Sequence, residues 1–258
     1  MNLPNLLTTF DEGLPEISNK STRKPKQTQE SSLRVKNEKP PRILLSNDGK
    51  KYMDATEEYL RAHADLLAHE PASPPEPNRV VRNEADVVAH ARTNLLNPIM
   101  RAINLETSLE GKVLTSAELG VETLRVDVGI FYEFKSGEGI VMMVEFKRAN
   151  LIDSSAFRVA MWDKQEVDKY TKSIREDPSK TLEQDSMKLV KQAKAYAVRA
   201  KCLYVALCDY ESLVLLKFSE DTTIIDVTIV DKTETTFRRA LFGFLLTAVE
   251  DYDSVPSV

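Results

Sequence analysis

Apolar positions recur along this chain with two periods. Across 80–106, Val87, Val88, Ala91, Leu95, Ile99 and Ile103 return at helical spacing, as on a helix with one buried face. Residues 181–200 repeat the pattern, with Leu189, Ala193, Tyr196 and Ala197 on one side and many Lys and Glu on the other. A third segment, 234–250, carries Phe237, Leu241, Phe244, Leu245 and Val249 on one face, suited to packing on the core or on a second copy. A shorter helix is predicted at 53–69. Apolar runs at 202–208, 213–218 and 224–230 read as strands, the first two separated by the turn-like Asp209-Tyr210-Glu211-Ser212. Two further runs flank Lys135-Ser136-Gly137-Glu138-Gly139, whose glycines accept positive φ, so a hairpin is predicted there. The order helix, strands, helix, strands, helix predicts an α/β fold with a mixed central sheet between helices.

The hairpin carries charge where its neighbours are apolar. Asp127 stands among Val126, Val128, Ile130 and Phe131, and Glu145 and Lys147 follow Ile140, Val141, Met142, Met143 and Val144. A charge in a buried strand is costly unless it is paired or holds a metal. If Phe134 pairs with Ile140, Asp127 lies opposite Lys147 and diagonal to Glu145. A register shifted by two sets Asp127 opposite Glu145. Strand side chains alternate, so both registers keep the three groups on one face, and a slip of one sends Asp127 to the other. Two converging carboxylates make a hard oxygen site suited to Mg2+ or Mn2+. A nearby lysine can hold or deprotonate a water and stabilise charge developing on phosphorus. Taken alone, the pattern also fits a surface hairpin with a cross-strand Asp–Lys pair.

Glu84 stands near the start of the first long helix, and Gln192-Ala193-Lys194-Ala195-Tyr196 lies on the second. Gln192 and Tyr196, four apart, share a helix face. With these residues in this order, about 80–230 resembles the PD-(D/E)XK nuclease superfamily, and Gln192 with Tyr196 resembles the motif of its RecB-like branch. The chain is also similar to nuclease-like domains numerous in fungal genomes. The resemblance implies a restriction-endonuclease-like αβββαβ core and a Mg2+-dependent nuclease. It makes Glu84, Asp127 and Glu145 the metal ligands, Lys147 the residue that positions water, and Gln192 and Tyr196 supports beside the site. Two departures stand out. Val126 precedes Asp127 where many members have proline. Glu84 and Asp86 both qualify as the acid of the first helix, and Glu84 is preferred because it precedes Val87 and Val88 by three and four residues. The stretch 149–180, with Trp162, is long and reads as an inserted helix near the substrate channel.

The rest of the chain adjusts this picture. Residues 1–50 are poor in aromatics and rich in Lys, Ser, Asn and Pro, which predicts disorder. Within them 20–42 is basic, and Arg23-Lys24-Pro25-Lys26 fits a nuclear import signal, a nucleic-acid contact or an ordinary solvated tail. Residues 71–77 read as a stiff proline-rich linker. The expected organisation is a tail over 1–78 and a nuclease-like domain over 79–258. The net charge is −5, and residues 1–78, with 11 Lys+Arg and 12 Asp+Glu, account for only −1 of it. A protein gripping many phosphates is usually basic, so positive charge has to be concentrated locally and offset by metal. No apolar stretch is long enough to cross a membrane, and no charged signal-peptide start is present, so an intracellular location, nuclear if the basic run acts, is expected. Cys202 and Cys208 read as buried small hydrophobes, and two cysteines fit a reducing compartment. His63, His69 and His90 are scattered and have no metal-ligand spacing. Nucleic acid, DNA first, is the expected partner. The competing expectation is a nuclease-fold module without catalysis that binds nucleic acid or a protein partner, or an effector that recruits its partner through the basic tail.

Overall fold

A computed structural model describes residues 4–19, 35–73, 79–105, 111–122, 124–134, 137–170, 182–232 and 237–254. The basic motif Arg23-Lys24-Pro25-Lys26 and the prolines Pro74, Pro75 and Pro77 lie outside the described residues. The chain enters through a one-turn helix α1 (Leu6–Thr9) and a short strand β1 (Ile17–Asn19). Strand β2 (Ile43–Ser46) and helices α2 (Lys50–Ala62) and α3 (Ala64–His69) follow, then β3 (Arg79–Val81), which pairs in parallel with β1. Helix α4 (Glu84–Ala91) runs through a π-helical turn (Arg92–Leu96) into α5 (Asn97–Leu105). Strands β4 (Lys112–Val121), β5 (Leu124–Phe134) and β6 (Gly137–Phe146) form an antiparallel meander. Helices α6 (Ser154–Ala160), α7 (Lys164–Tyr170) and α8 (Gln184–Ala200) lead to β7 (Tyr204–Cys208), β8 (Ser212–Phe218) and β9 (Ile224–Asp231). Helix α9 (Phe237–Asp253) closes the described chain.

The sheet order is β2-β9-β8-β7-β6-β5-β4. It is mixed: β2 runs parallel to β9 and β6 parallel to β7, and the other neighbours are antiparallel. One face packs on α1 to α5 and α9 through a cluster that includes Leu6, Tyr52, Leu67, Ile99 and Phe244. The other packs on α6 and α8 through Phe157, Leu189, Tyr196 and Leu207. The expected α/β fold, a mixed sheet flanked by helices, is the observed architecture. All five residues of β7 are buried, which is why a strand in mid-sheet reads as an unbroken apolar run. Cys202 and Cys208 are buried and free, and burial pushes both thiols up to about 12.

Several boundaries differ from expectation for identifiable reasons. The first long helix begins at Glu84, because a capping box stops it upstream. Asn83 Oδ1 accepts from Asp86 N (3.0 Å), and Asp86 Oδ2 accepts from Arg82 N (2.8 Å) and Asn83 N (3.2 Å). The expected hairpin turn is shorter, since β6 already starts at Gly137 and pairs it with Phe134. Gly139 is a strand residue kept small by its neighbour: a Cβ there would sit 2.2 Å from the Tyr252 hydroxyl. The stretch 149–180, expected as an inserted helix, holds α6 and α7 and leaves the described residues after Tyr170; Trp162 lies between the two helices. Its backbone pairs with β2, with Ser46 N donating to Trp162 O and Trp162 N to Leu44 O, both at 2.8 Å, at the sheet edge opposite β4.

The largest difference is at the start of the chain. Parts of 1–50 that composition reads as disordered are structural. Leu6, Phe10 and Leu14 are buried in the same cluster as Phe242, and β2 hydrogen-bonds to β9. Arg238, only 4 % exposed, fastens this segment. Its Nε donates to Asn94 O (2.6 Å), and its Nη1 to Thr9 O (2.8 Å) and Glu12 O (2.6 Å). Helix α2 lies against α9, where Tyr52 packs edge-on to Phe244 with ring centroids 5.1 Å apart. The apolar face of α9 is thus buried in its own core. Composition misses these contacts because the partners are far apart in sequence.

Two outcomes follow from this packing. A chain beginning at residue 79 uncovers β9 and the aromatic face of α9, and is expected to show no cooperative unfolding transition in urea. At Gly243 a Cβ would fall 1.8 Å from the Tyr52 carbonyl oxygen. Gly243→Ala therefore forces α2 and α9 apart and is expected to cost about 3 kcal/mol in urea denaturation, at the upper end for overpacking.

Candidate active site

The register of β5 and β6 changes part-way along the hairpin. Near the turn, Phe134 pairs with Gly137, Tyr132 with Gly139 and Phe131 with Ile140. Ile130 pairs with Met142, so Val141 is an extra residue in β6, a β-bulge. Gly129↔Met143 and Val128↔Val144 keep the new register, and its next step sets Asp127 opposite Glu145. Without Val141 as the extra residue, Asp127 would meet Val144. The register near the site is the second of the two expected, and it is reached through a one-residue correction. At Asp127 the side chain takes over from the ladder: Oδ2 accepts from Phe146 N at 2.7 Å.

Glu145 near the end of β6 and Lys147 just past it form a buried ion pair. Lys147 Nζ donates to Glu145 Oε1 at 2.6 Å, and the residues are 3 % and 5 % exposed. Lys147 N donates to Cys208 O at 2.8 Å, which fixes this end of β6 to β7. Helix α8 braces the carboxylate. Gln192 Nε2 donates to Glu145 Oε1 (2.9 Å) and to the Tyr196 hydroxyl oxygen (2.6 Å). The Tyr196 hydroxyl lies 3.1 Å from Glu145 Oε2 and 2.8 Å from Arg125 O, and its proton serves one of these acceptors at a time. Gln192 and Tyr196 are brought to Glu145 as their spacing on one helix face predicts. Beyond Lys147, Ile152 N donates to the fully buried Asp209 at 2.8 Å, which ties the following loop to the β7–β8 turn.

Glu84 opens α4 on the other side. The two acids of the first helix stand differently: Asp86 is committed to the backbone by the capping box, and Glu84 and Asp127 line one cavity of about 320 Å3. Val88, Arg92 and Glu118 also line it. Arg92 and Glu118 were not legible as site residues. Arg92 lies two turns after Glu84, at the start of the π-helical turn, so helical spacing was the available signal. Glu118 falls between the paired Ala117 and Leu119 of β4 and has left-handed φ of 56°, a backbone feature that no sequence pattern marks. A second cavity of about 510 Å3, lined by Pro4, Pro71, Pro98, Arg101 and Arg238 among others, contains none of Glu84, Asp127 and Glu145.

The electrostatics tie these residues into one unit. Burial, with the nearby Glu145 charge, raises the Asp127 carboxyl to about 7 against the pull of the Phe146 amide, Lys147 and Arg92. Burial raises Glu84 as well, opposed by Lys147, and by the charge and backbone amide of Arg148. Glu145 is raised by burial, opposed mainly by Lys147. Burial pulls Lys147 down, and Glu145, Glu84 and Asp127 together outweigh it, so its net shift is upward. Three acids thus surround the Lys147 ammonium, with the charges of Arg92 and Arg148 also acting on Asp127 and Glu84. Among the described residues, no group of three or more His, Cys, Asp or Glu is placed to hold a metal ion. Both oxygens of Glu145 face Lys147, Gln192 and Tyr196 rather than the cavity. Mg2+ is commonly held by one or two carboxylates, with water and phosphate oxygens completing its shell. Glu84 and Asp127 fit that pattern, with Glu145 turned inward to Lys147.

No family model matches the chain, and no curated protein and no solved structure matches it.

The raised Asp127 pKa has a sign that can be measured. The folded state binds this proton more tightly than the unfolded state, whose carboxyl titrates near the ordinary 3.8. The associated stability is fully present below that value and is lost as pH rises through about 7. Asp127→Asn keeps an acceptor for Phe146 N and removes the charge. It is expected to be more stable than the wild type by about 2–4 kcal/mol at pH 8, with the gap closing towards pH 4, in urea midpoints across that range.

Proposed function

We propose that this chain is a metal-dependent nuclease that hydrolyses phosphodiester bonds, with DNA the first substrate to test. The carrying observation is the buried Glu145–Lys147 pair, braced by Gln192 and Tyr196 and set beside Asp127 and Glu84 at an open cavity. Bound Mg2+ or Mn2+ would supply Lewis acidity towards a phosphoryl oxygen and a more acidic water.

Each residue has a separable task. Glu84 and Asp127 hold the cation in ionised form, so cation and proton compete at Asp127 and affinity rises with pH towards 8. Lys147 stays protonated, because the surrounding acids outweigh its burial. It is therefore a donor rather than a base: one N–H goes to Glu145, and the ammonium has two more for water or a phosphoryl oxygen. Gln192 and Tyr196 keep Glu145 aimed at Lys147. Their own contacts are to protein, so their role is positioning.

A second reading, a nuclease-fold module that binds nucleic acid or a protein partner without catalysis, is favoured by two observations. The described residues hold no three-ligand group, and the chain is acidic at −5.

Calorimetry with Mn2+ and Mg2+, beside cleavage assays on single- and double-stranded DNA and RNA, separates the two. Wild type is expected to bind the cation and cleave. Asp127→Ala/Glu145→Ala is expected to lose both, and Lys147→Met to lose cleavage by about 100-fold or more while remaining folded by circular dichroism. Folded wild type without cation-dependent cleavage, or cleavage unchanged in Lys147→Met, sinks the nuclease reading.

A further inference from the structure

We propose that Arg92 is an anion subsite that takes a phosphate of a nucleic-acid backbone beside Asp127. The identity of the ligand rests on the nuclease reading; the existence of the subsite does not. Arg92 stands two turns after Glu84, just past α4, and opens the π-helical turn. Its Nη2 donates to Asp127 O at 3.0 Å. Among the described residues its side chain makes no other hydrogen bond and no ion pair, so most of its five N–H donors are uncommitted. Arg92 is half-buried and lines the cavity with Glu84, Glu118 and Asp127.

An arginine so placed would ordinarily be claimed by one of these acids. Here each acid is held elsewhere. Glu118 pairs with Arg125, and Asp127 gives Oδ2 to the Phe146 amide. Glu84 interacts with Lys147 and with the charge and amide of Arg148. The guanidinium is held by a backbone carbonyl, a fixed acceptor that leaves its charge unneutralised. A planar fork with free donors matches the paired oxygens of a phosphate. Small residues, Ala85 and Ala89, line the same cavity and leave room for a ligand. π-Helical turns recur at functional sites, where the inserted residue re-aims a side chain. Arg92 also answers the problem posed by an acidic protein: it supplies positive charge at the one place where a phosphate has to approach carboxylates.

Arg92 could instead be a strut that ties α4 to β5, and two substitutions divide the roles. Arg92→Gln keeps an N–H for Asp127 O and removes the charge; Arg92→Lys keeps the charge and removes the fork. The experiment is fluorescence anisotropy of a labelled oligonucleotide, single-stranded and duplex, with Ca2+ in place of Mg2+, across roughly 0.05–0.2 M salt. Arg92→Gln is expected to melt like wild type and to bind about tenfold more weakly at the lowest salt. The slope of log affinity against log salt is expected to fall in magnitude by about 0.9 on duplex or about 0.7 on single strands, with Arg92→Lys keeping the wild-type slope. An unchanged slope in Arg92→Gln, or an equal loss in Arg92→Lys, overturns the subsite. Wild type that binds without ever cleaving, with the slope lost in Arg92→Gln, keeps the subsite and discards the nuclease. Wild type that cleaves, with the slope unchanged in Arg92→Gln, does the reverse. Wild type that neither binds nor cleaves removes both.

Discussion

One extra residue in β6 governs which groups meet at the end of the hairpin. The register set at the turn, Phe134 with Gly137, would bring Asp127 opposite Val144. Because strand side chains alternate, that register would separate Asp127 from Glu145 by a full change of face. The bulge at Val141 restores the parity, and the placement of Asp127 on the Phe146 amide beside Glu145 depends on it. Bulges often mark functional sites because they re-aim side chains at the cost of one unpaired residue. Here the bulge lies well up the strand, where the buried Val141 absorbs the irregularity in the core.

The buried Glu145–Lys147 pair is costly in isolation, since both ions leave water and regain only part of that in mutual attraction. Its surroundings offset the cost with hydrogen bonds. Gln192 and Tyr196 serve the carboxylate oxygens, and the Lys147 amide is anchored on Cys208. Asp127 and Glu84 are different: half-buried, raised in pKa and open to a cavity. The first pair is closed off by its partners, and the second stands where protons and solutes can reach it. Such a division between a locked charge and an available one is what a site for charged substrates requires.

The scaffold reaches further than the strands that hold these groups. Segments at the start of the chain supply β2 at one sheet edge and α2 against α9, and Arg238 fastens the first turn to the π-helical segment. That segment begins at Arg92, so N-terminal packing and the cavity share one helix. The close approach of α2 to Gly243 leaves no room for even a methyl group, a rigid contact at the back of the layer that carries Glu84.

What the sequence determined by itself was local and periodic. Helical spacing marked the long helices, unbroken apolar runs marked the buried strands, and charge inside those runs marked Asp127, Glu145 and Lys147. Four-residue spacing put Gln192 and Tyr196 on one face, and the structure turns that face to Glu145. Tertiary structure decided everything that depends on partners distant in the chain. Composition made the start of the chain look disordered, because the apolar surface that buries Phe10 and Leu44 lies far along the sequence. Two registers were open until the bulge selected one, since an extra residue leaves no mark in an apolar run. Glu84 and Asp86 were separated only by hydrogen bonds at the cap. Arg92 and Glu118 entered the site through a helix approaching a strand and through a left-handed residue, and pattern records neither. Periodicity reports which face of an element is buried, and only the packed molecule reports what that face meets.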